Sequence, residues 1–452
     1  MSERTEIVAP KSRLTDLYLK EDWWAIWLAL GIIAVALIFF FAGSTINPIA
    51  VKPPVWQHAG ALGDHFANTW PWYLAQFVMW LVIFAISTTI MGFKVKEYVP
   101  GFAILYAVAT LIFVVSSWKT MKDYNMEAPL VALLLGLIVG NVSRLPAWFD
   151  AALRTEYYIK TGIILLGATL PLTIIAQAGP LAFLQASIVS LSTFFTIFLV
   201  GRFVFDLDRR FCATMGAGGS VCGVSASIAV GGAVKAEKDH LAISISLVTI
   251  FAIVMIFVLP FVCKALKLDF GVAGAWIGTS EFADAAGFAA AQALGDATDK
   301  AIRAYTLMKV IGRDIWIGLW SFALAIISVV YWEKKSGGGA SVTPAEIWWR
   351  FPKFVLGFFA ASIIITVVSL GYSGAEFDTH LKPELIAPIK TLRSWTFVFT
   401  FLCIGFTTRF RELAKFGWKP LAAFAAGVAV NVPLGYVLST VVFARYWKGI
   451  AG

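Results

Sequence analysis

Thirteen apolar runs, most of them about twenty residues long, are strung along a single chain of 452 residues. A helix of about 20 apolar residues is as long as a bilayer's hydrocarbon core is thick. The runs lie at 23–42, 73–92, 98–117, 128–142, 158–177, 181–204, 211–234, 239–264, 271–293, 306–331, 353–372, 391–410 and 419–443. A folded soluble chain leaves much of its surface in water and could not hide so many. Only 14% of the residues are charged, where soluble domains carry about 25%. A water-soluble enzyme is thereby excluded. The expected fold is an all-α polytopic membrane protein with about 13 transmembrane helices. Long polar connections fall at 43–72, 332–352 and 373–390, and the tract 336–341 has flexible-linker composition. Residues 1–22 are polar and of mixed sign, and the run at 23–42 is too long for a signal-peptide core.

An odd number of spans places the two termini on opposite faces. Lys and Arg outside the spans are more numerous on the face that carries the N-terminus, which makes that face cytoplasmic. The net charge of +9 is spread over nearly every loop. It reads as topology and lipid-headgroup contact, not as a nucleic-acid surface. The four cysteines form no C-x-x-C pair, and the four histidines sit in loops or at helix edges. No disulfide framework, His/Cys zinc cluster or cofactor is expected.

Two stretches resemble each other. LLGATLPLTIIAQAGPLAF starts at Leu165 and CIGFTTRFRELAKFGWKPLAAF at Cys403. Both contain G-x-T (Gly167 and Thr169; Gly405 and Thr407), then a Gly-Pro turn (Gly179-Pro180) or its spaced equivalent (Gly417 and Pro420). Seven spans separate the copies, so they cross the bilayer in opposite senses, as inverted transporter repeats do.

Two runs are poor continuous helices. The first carries Gly216, Gly218, Gly219, Gly223, Gly231 and Gly232 with Ser220, Ser225 and Ser227. Each interior Gly costs about 1 kcal/mol relative to Ala, so the cluster predicts an unwound stretch near 216–220. A helix restarting near Ser220 would offer free N–H groups, a hydroxyl and a positive dipole end to an anion. The alternative is a small-residue packing face. In the second run, Gly278, Thr279 and Ser280 precede Glu281 and Asp284, three apart on one expected helical face. These acids could bind a coupling proton or Na⁺, pair with a base, or be hydrated at an interface. Lys309 and Arg313 lie four apart in the next run, with Asp314 on a different face. They could pair with those acids, attract an anionic solute, or snorkel outward; Lys160 has the same alternatives.

The stretch from Gly216 to Pro260 resembles the signature of the YeiH family of sulfate exporters. KTGIILLGATLPL from Lys160, WIGTS from Trp276, FPKFVLGF from Phe351 and IGFTTRFRELAKFGWKPL from Ile404 follow in the family's order, so the likeness covers roughly 98–445. The resemblance implies a transporter core at 98–452 and, at 1–97, a tail with two additional helices. It implies a bacterial inner-membrane secondary transporter, exporting sulfate or a related organosulfur anion. It also implies kinship to the inverted-repeat bile-acid and proton-antiporter fold group, in which homodimers are a habit. Gly216, Gly218, Ser220, Cys222, Gly223, Gly278, Thr279 and Ser280 match the family's motifs as substrate contacts. Gly219 and Ser225 join them from the residue reading. Where the family continues with a His and an acid, this chain has Phe282 and Ala283, and its acids are displaced by one. Its basic pair is spaced four apart instead of three, so of the two only Arg313 transfers as a substrate contact. Glu281, Asp284 and Lys309 are the expected ion-coupling residues. The competing expectation is a proton or sodium antiporter that uses Glu281 or Asp284. With no intramembrane histidine and no nucleophile–base set, an enzyme is not expected.

Overall fold

A computed structural model describes residues 16–450 apart from 124–125, 127, 144, 170–171, 333–351, 374–375 and 409–416. Among the described residues, the thirteen apolar runs fall in helical segments and no strand occurs. The principal helices are numbered here in chain order. They are α1 (Glu21–Phe41), α2 (Ala59–Ile90), α3 (Val95–Ser116), α4 (Ala128–Val142), α5 (Thr155–Gly167) and α6 (Leu172–Leu199, prolonged by a π turn at Val200–Val204). Then come α7 (Arg209–Ser220), α8 (Val224–Ala233), α9 (Lys238–Ala265), α10 (Phe270–Ser280), α11 (Asp284–Gln292) and α12 (Lys300–Trp332). Last are α13 (Phe354–Ser369), α14 (Ala387–Thr407), α15 (Trp418–Val437) and α16 (Ala444–Lys448). Among the described residues, eight helices are long and apolar enough to cross a membrane. The other runs are short (α4, α5, α13) or split in two (α7 with α8, α10 with α11). Exposed aliphatic side chains such as Val142 and Leu370, 82% and 80% accessible, suit contact with lipid.

Three expected boundaries move. Residues 59–72 continue α2 and do not form a polar loop. Residues 376–386 are helical, mostly as a π segment leading into α14. Residues 172–177 belong to α6 and not to the preceding span. The linker tract 336–341 lies outside the described residues.

The chain divides into two compact units. One comprises residues 13–175 and 353–409. Its core is aromatic: Trp395 is fully buried, stacked on Tyr106 and tilted against Phe399, and Trp80 stacks on Phe84. Gly136 and Gly405 let α4 and α14 touch backbone to backbone, since a Cβ on Gly405 would lie 2.6 Å from the Gly136 Cα. Helix α1 is joined to α5 by ion pairs, Lys160 to Asp22 at 2.7 Å and Arg154 to Glu21. Lys160 is thus paired and does not snorkel. The G-x-T copies mark the ends of α5 and α14, both in this unit.

The second unit comprises residues 176–352 and 410–452. Its two split runs are built alike. Helix α7 is capped by Asp208, whose Oδ1 accepts from the N–H groups of Arg210 and Phe211. Helix α10 is capped by Asp269, which accepts from Gly271. Two residues before each cap the chain takes a left-handed turn, at Asp206 and Lys267. Each cap fixes where its half-helix begins, and so where its far end lies. An Asp208→Ala variant should lose about 1 kcal/mol of stability, read as a lower unfolding midpoint in detergent, and Asp208→Asn should recover most of it.

Candidate functional site at two helix interruptions

The interruption in the first run lies at Val221-Cys222-Gly223, not at 216–220. Residues 216–220 are helical and buried. Their glycines serve packing: a Cβ on Gly216 would sit 3.0 Å from Phe194, on Gly218 2.3 Å from Ser227 Oγ, and on Gly219 2.5 Å from Ile197. Glycine here admits neighbours too close for any side chain, and the helix survives its propensity cost because that packing compensates. Gly223 is different. Its φ of +78° is a conformation that L-residues rarely adopt, and it is the residue from which α8 restarts. The second run breaks in the same relative place, at Glu281-Phe282-Ala283. The two breaks touch, since a Cβ on Gly223 would lie 2.7 Å from the Phe282 carbonyl oxygen.

This placement reverses the expected polarity at Ser220. That residue closes α7 and does not open a helix; the restart comes at Val224. The C-terminal ends of α7 and α10 carry carbonyl oxygens and the negative ends of the helix dipoles. Two fully buried cations meet them. Lys309 Nζ donates to the carbonyls of Val221 (2.8 Å) and Glu281 (3.0 Å). Arg313 Nε donates to Ser220 (3.1 Å), and its Nη1 donates to Thr279 (2.8 Å), Glu281 (2.8 Å) and Gly278 (3.3 Å). Both cations project from a π-helical stretch of α12, Leu307–Arg313. Such stretches recur at functional sites. Neither Lys309 nor Arg313 snorkels; each satisfies carbonyls that an interrupted helix leaves without intrahelical donors.

Acids complete the nest. Glu281 is fully buried; its Oε1 accepts from the Phe282 N–H, and its Oε2 has no hydrogen-bond partner. Asp284 Oδ1 lies 3.6 Å from Lys309 Nζ, and Tyr305 donates its hydroxyl to the Asp284 carbonyl. Glu281 and Asp284 do not share a helical face as expected, because the break separates them: Glu281 follows α10 and Asp284 opens α11. Asp314 was expected on a different face from Arg313, and a ligand oxygen of it lies within 4.8 Å of those of Asp284 and of Cys222 Sγ. The crossing of the two breaks brings Asp314 in, and α-helical spacing could not reveal it.

Among the remaining expected contacts, the Thr279 hydroxyl donates to Trp276 O within its own helix, and the Ser220 hydroxyl lies 3.4 Å from Ala217 O. The Ser280 hydroxyl lies 3.4 Å from Thr279 Oγ1. Gly278 contributes its carbonyl, and Ser225 is part-buried in the first turn of α8. The hydroxyls of Ser220 and Thr279 are therefore turned onto their own helices, and the polar chemistry of the site is carried by Lys309, Arg313, Glu281, Asp284, Asp314 and Cys222.

These features define the class: an all-helical, multi-pass membrane protein in which two discontinuous helices meet around buried charge. The chain belongs to the family described as conserved hypothetical protein 698, which it matches over residues 100–424. It is similar to a UPF0324 membrane protein of Rhodopirellula baltica, 34% identical over 88% of this chain and 73% of that one. A UPF0324 membrane protein of Nitrosomonas europaea is 30% identical over 92% of this chain and 94% of its own. One of Nitratidesulfovibrio vulgaris is 34% identical over 80% of this chain, which spans 62% of that relative's length. No solved structure matches.

Proposed function

We propose that the protein is a secondary transporter of the bacterial inner membrane, with its N-terminus in the cytoplasm, that exports a small anion such as sulfate. The observation that carries the transport reading is the nest of buried ionisable side chains where α7–α8 and α10–α11 are interrupted. Charge at membrane depth is costly and is kept where ions or protons move. Interrupted helices in pairs are how transporters place such groups at a binding site. The sulfate assignment rests on the likeness to the YeiH family. It is supported by Arg313, whose buried Nη2 has no hydrogen-bond partner and can donate to an oxyanion. Alternating access would follow from the movement of one repeat against the other.

Proteoliposomes containing the purified protein should take up radiolabelled sulfate faster than empty liposomes, and a proton gradient should change the rate. Uptake no faster than in empty liposomes under any ion gradient refutes the sulfate assignment.

A second reading is a proton or sodium antiporter that uses Glu281 or Asp284. It is favoured by the unpartnered Glu281 Oε2 and by the Lys309–Asp284 pair. Glu281→Gln and Asp284→Asn separate the two. An antiporter loses exchange outright, whereas an anion carrier keeps uptake and shifts its pH dependence.

A further inference from the structure

We infer that Cys222, Asp284 and Asp314 form a binding site for one thiophilic divalent cation of the Zn²⁺ or Cd²⁺ class. This goes beyond the transport reading and stands whether or not sulfate is carried. The ligand atoms of the three residues, one thiol sulfur and two carboxylate oxygens, all lie within 4.8 Å of one another. A tetrahedral ion with ligands at 2.0–2.3 Å needs them about 3.3–3.8 Å apart, so a small closure suffices. The three residues come from different places: the break after α7, the start of α11, and the turn that follows the π stretch of α12. Only the meeting of the two breaks assembles them.

A second observation points to a cation. Glu281 is completely buried, and its Oε2 has no hydrogen-bond partner. Its carboxylate interacts with Lys309, the same ammonium that lies 3.6 Å from Asp284 Oδ1. Glu281 is not one of the three mutually close ligand residues, and its buried, unpartnered oxygen stands beside them as a counter-charge for a cation. On metal binding the Cys222 thiol proton passes to solvent and the thiolate sulfur becomes a ligand. Sulfur with carboxylate oxygen is a borderline donor set that suits zinc and cadmium better than magnesium or calcium. Lys309 keeps its two carbonyl bonds throughout, while the metal takes over as the counter-charge of Asp284.

The test is a cadmium titration of the full chain in detergent, read by the thiolate-to-cadmium ultraviolet absorption and by the unfolding midpoint. The wild type should show the band at one equivalent and a raised midpoint. Cys222→Ser should abolish the band, and Asp314→Asn should weaken binding at least tenfold. A variant with Cys212, Cys263 and Cys403 replaced by Ser, in which Cys222 is the sole thiol, should keep the band; it also serves if Cys222→Ser does not fold. Absence of the band in the wild type, its survival in Cys222→Ser, or its loss in the sole-thiol variant overturns the site.

Discussion

Arg313→Met should destabilise the protein by about 3–5 kcal/mol, the usual cost of removing one partner from a buried charged network. The guanidinium serves four carbonyls at once, those of Ser220, Gly278, Thr279 and Glu281. The methionine side chain has similar length and no donor. The carbonyls of Gly278 and Thr279 would lose this donor, those of Ser220 and Glu281 would keep only Ser190 Oγ and Lys309 Nζ, and three acids would be left beside one cation. Arg313→Lys should fall between, because one ammonium cannot present two nitrogens in the same fork. The measurement is the unfolding midpoint in detergent, with proteoliposome uptake alongside. An unchanged midpoint in Arg313→Met would mean that Lys309 alone holds the two breaks together.

Gly223→Ala should be comparably damaging, at about 3 kcal/mol or more, for two separate reasons. The first is conformational: a φ of +78° with ψ of −103° is unfavourable for any L-residue, a strain of about 1–3 kcal/mol. The second is steric. The new methyl would lie 2.4 Å from Val248 Cγ1 and 2.7 Å from the Phe282 carbonyl oxygen, and the latter is backbone and cannot rotate away. The strain falls on the contact between the two breaks, so transport should fail even if the chain folds. Gly63→Ala is the control. No atom lies within 4 Å of its Cβ position and it is inside α2, so the substitution should be neutral or stabilising by up to about 1 kcal/mol. If Gly223→Ala behaves like Gly63→Ala, the turn at 221–223 does not have the role assigned to it.

The two segments that matter were recognisable from composition, but not their internal geometry. Glycine at 216, 218 and 219 has two meanings, helix breaking and close packing, and residue counting cannot separate them. The contacts of Phe194, Ser227 and Ile197 decide for packing. The true break falls three residues on, at Gly223. That shift turns Ser220 from the start of a helix into the end of one and reverses the sign of the local dipole. The approach of Asp314 to Asp284 and Cys222 is a tertiary contact that spacing along its own segment does not contain. Cys222 was read as part of a glycine motif, and its two carboxylate neighbours come from 62 and 92 residues further along the chain.

Membrane residence and the identity of the interrupted runs follow from local chemistry. An apolar stretch of bilayer length has no other stable environment, and its hydropathy is a property of consecutive residues. The tally of ionisable groups at membrane depth is equally local. Their partnership is not. Whether Arg313 meets a carboxylate, a carbonyl or an anion depends on where two half-helices end relative to each other. That is set by glycine contacts and aspartate caps acting across the fold, which no window of adjacent residues contains.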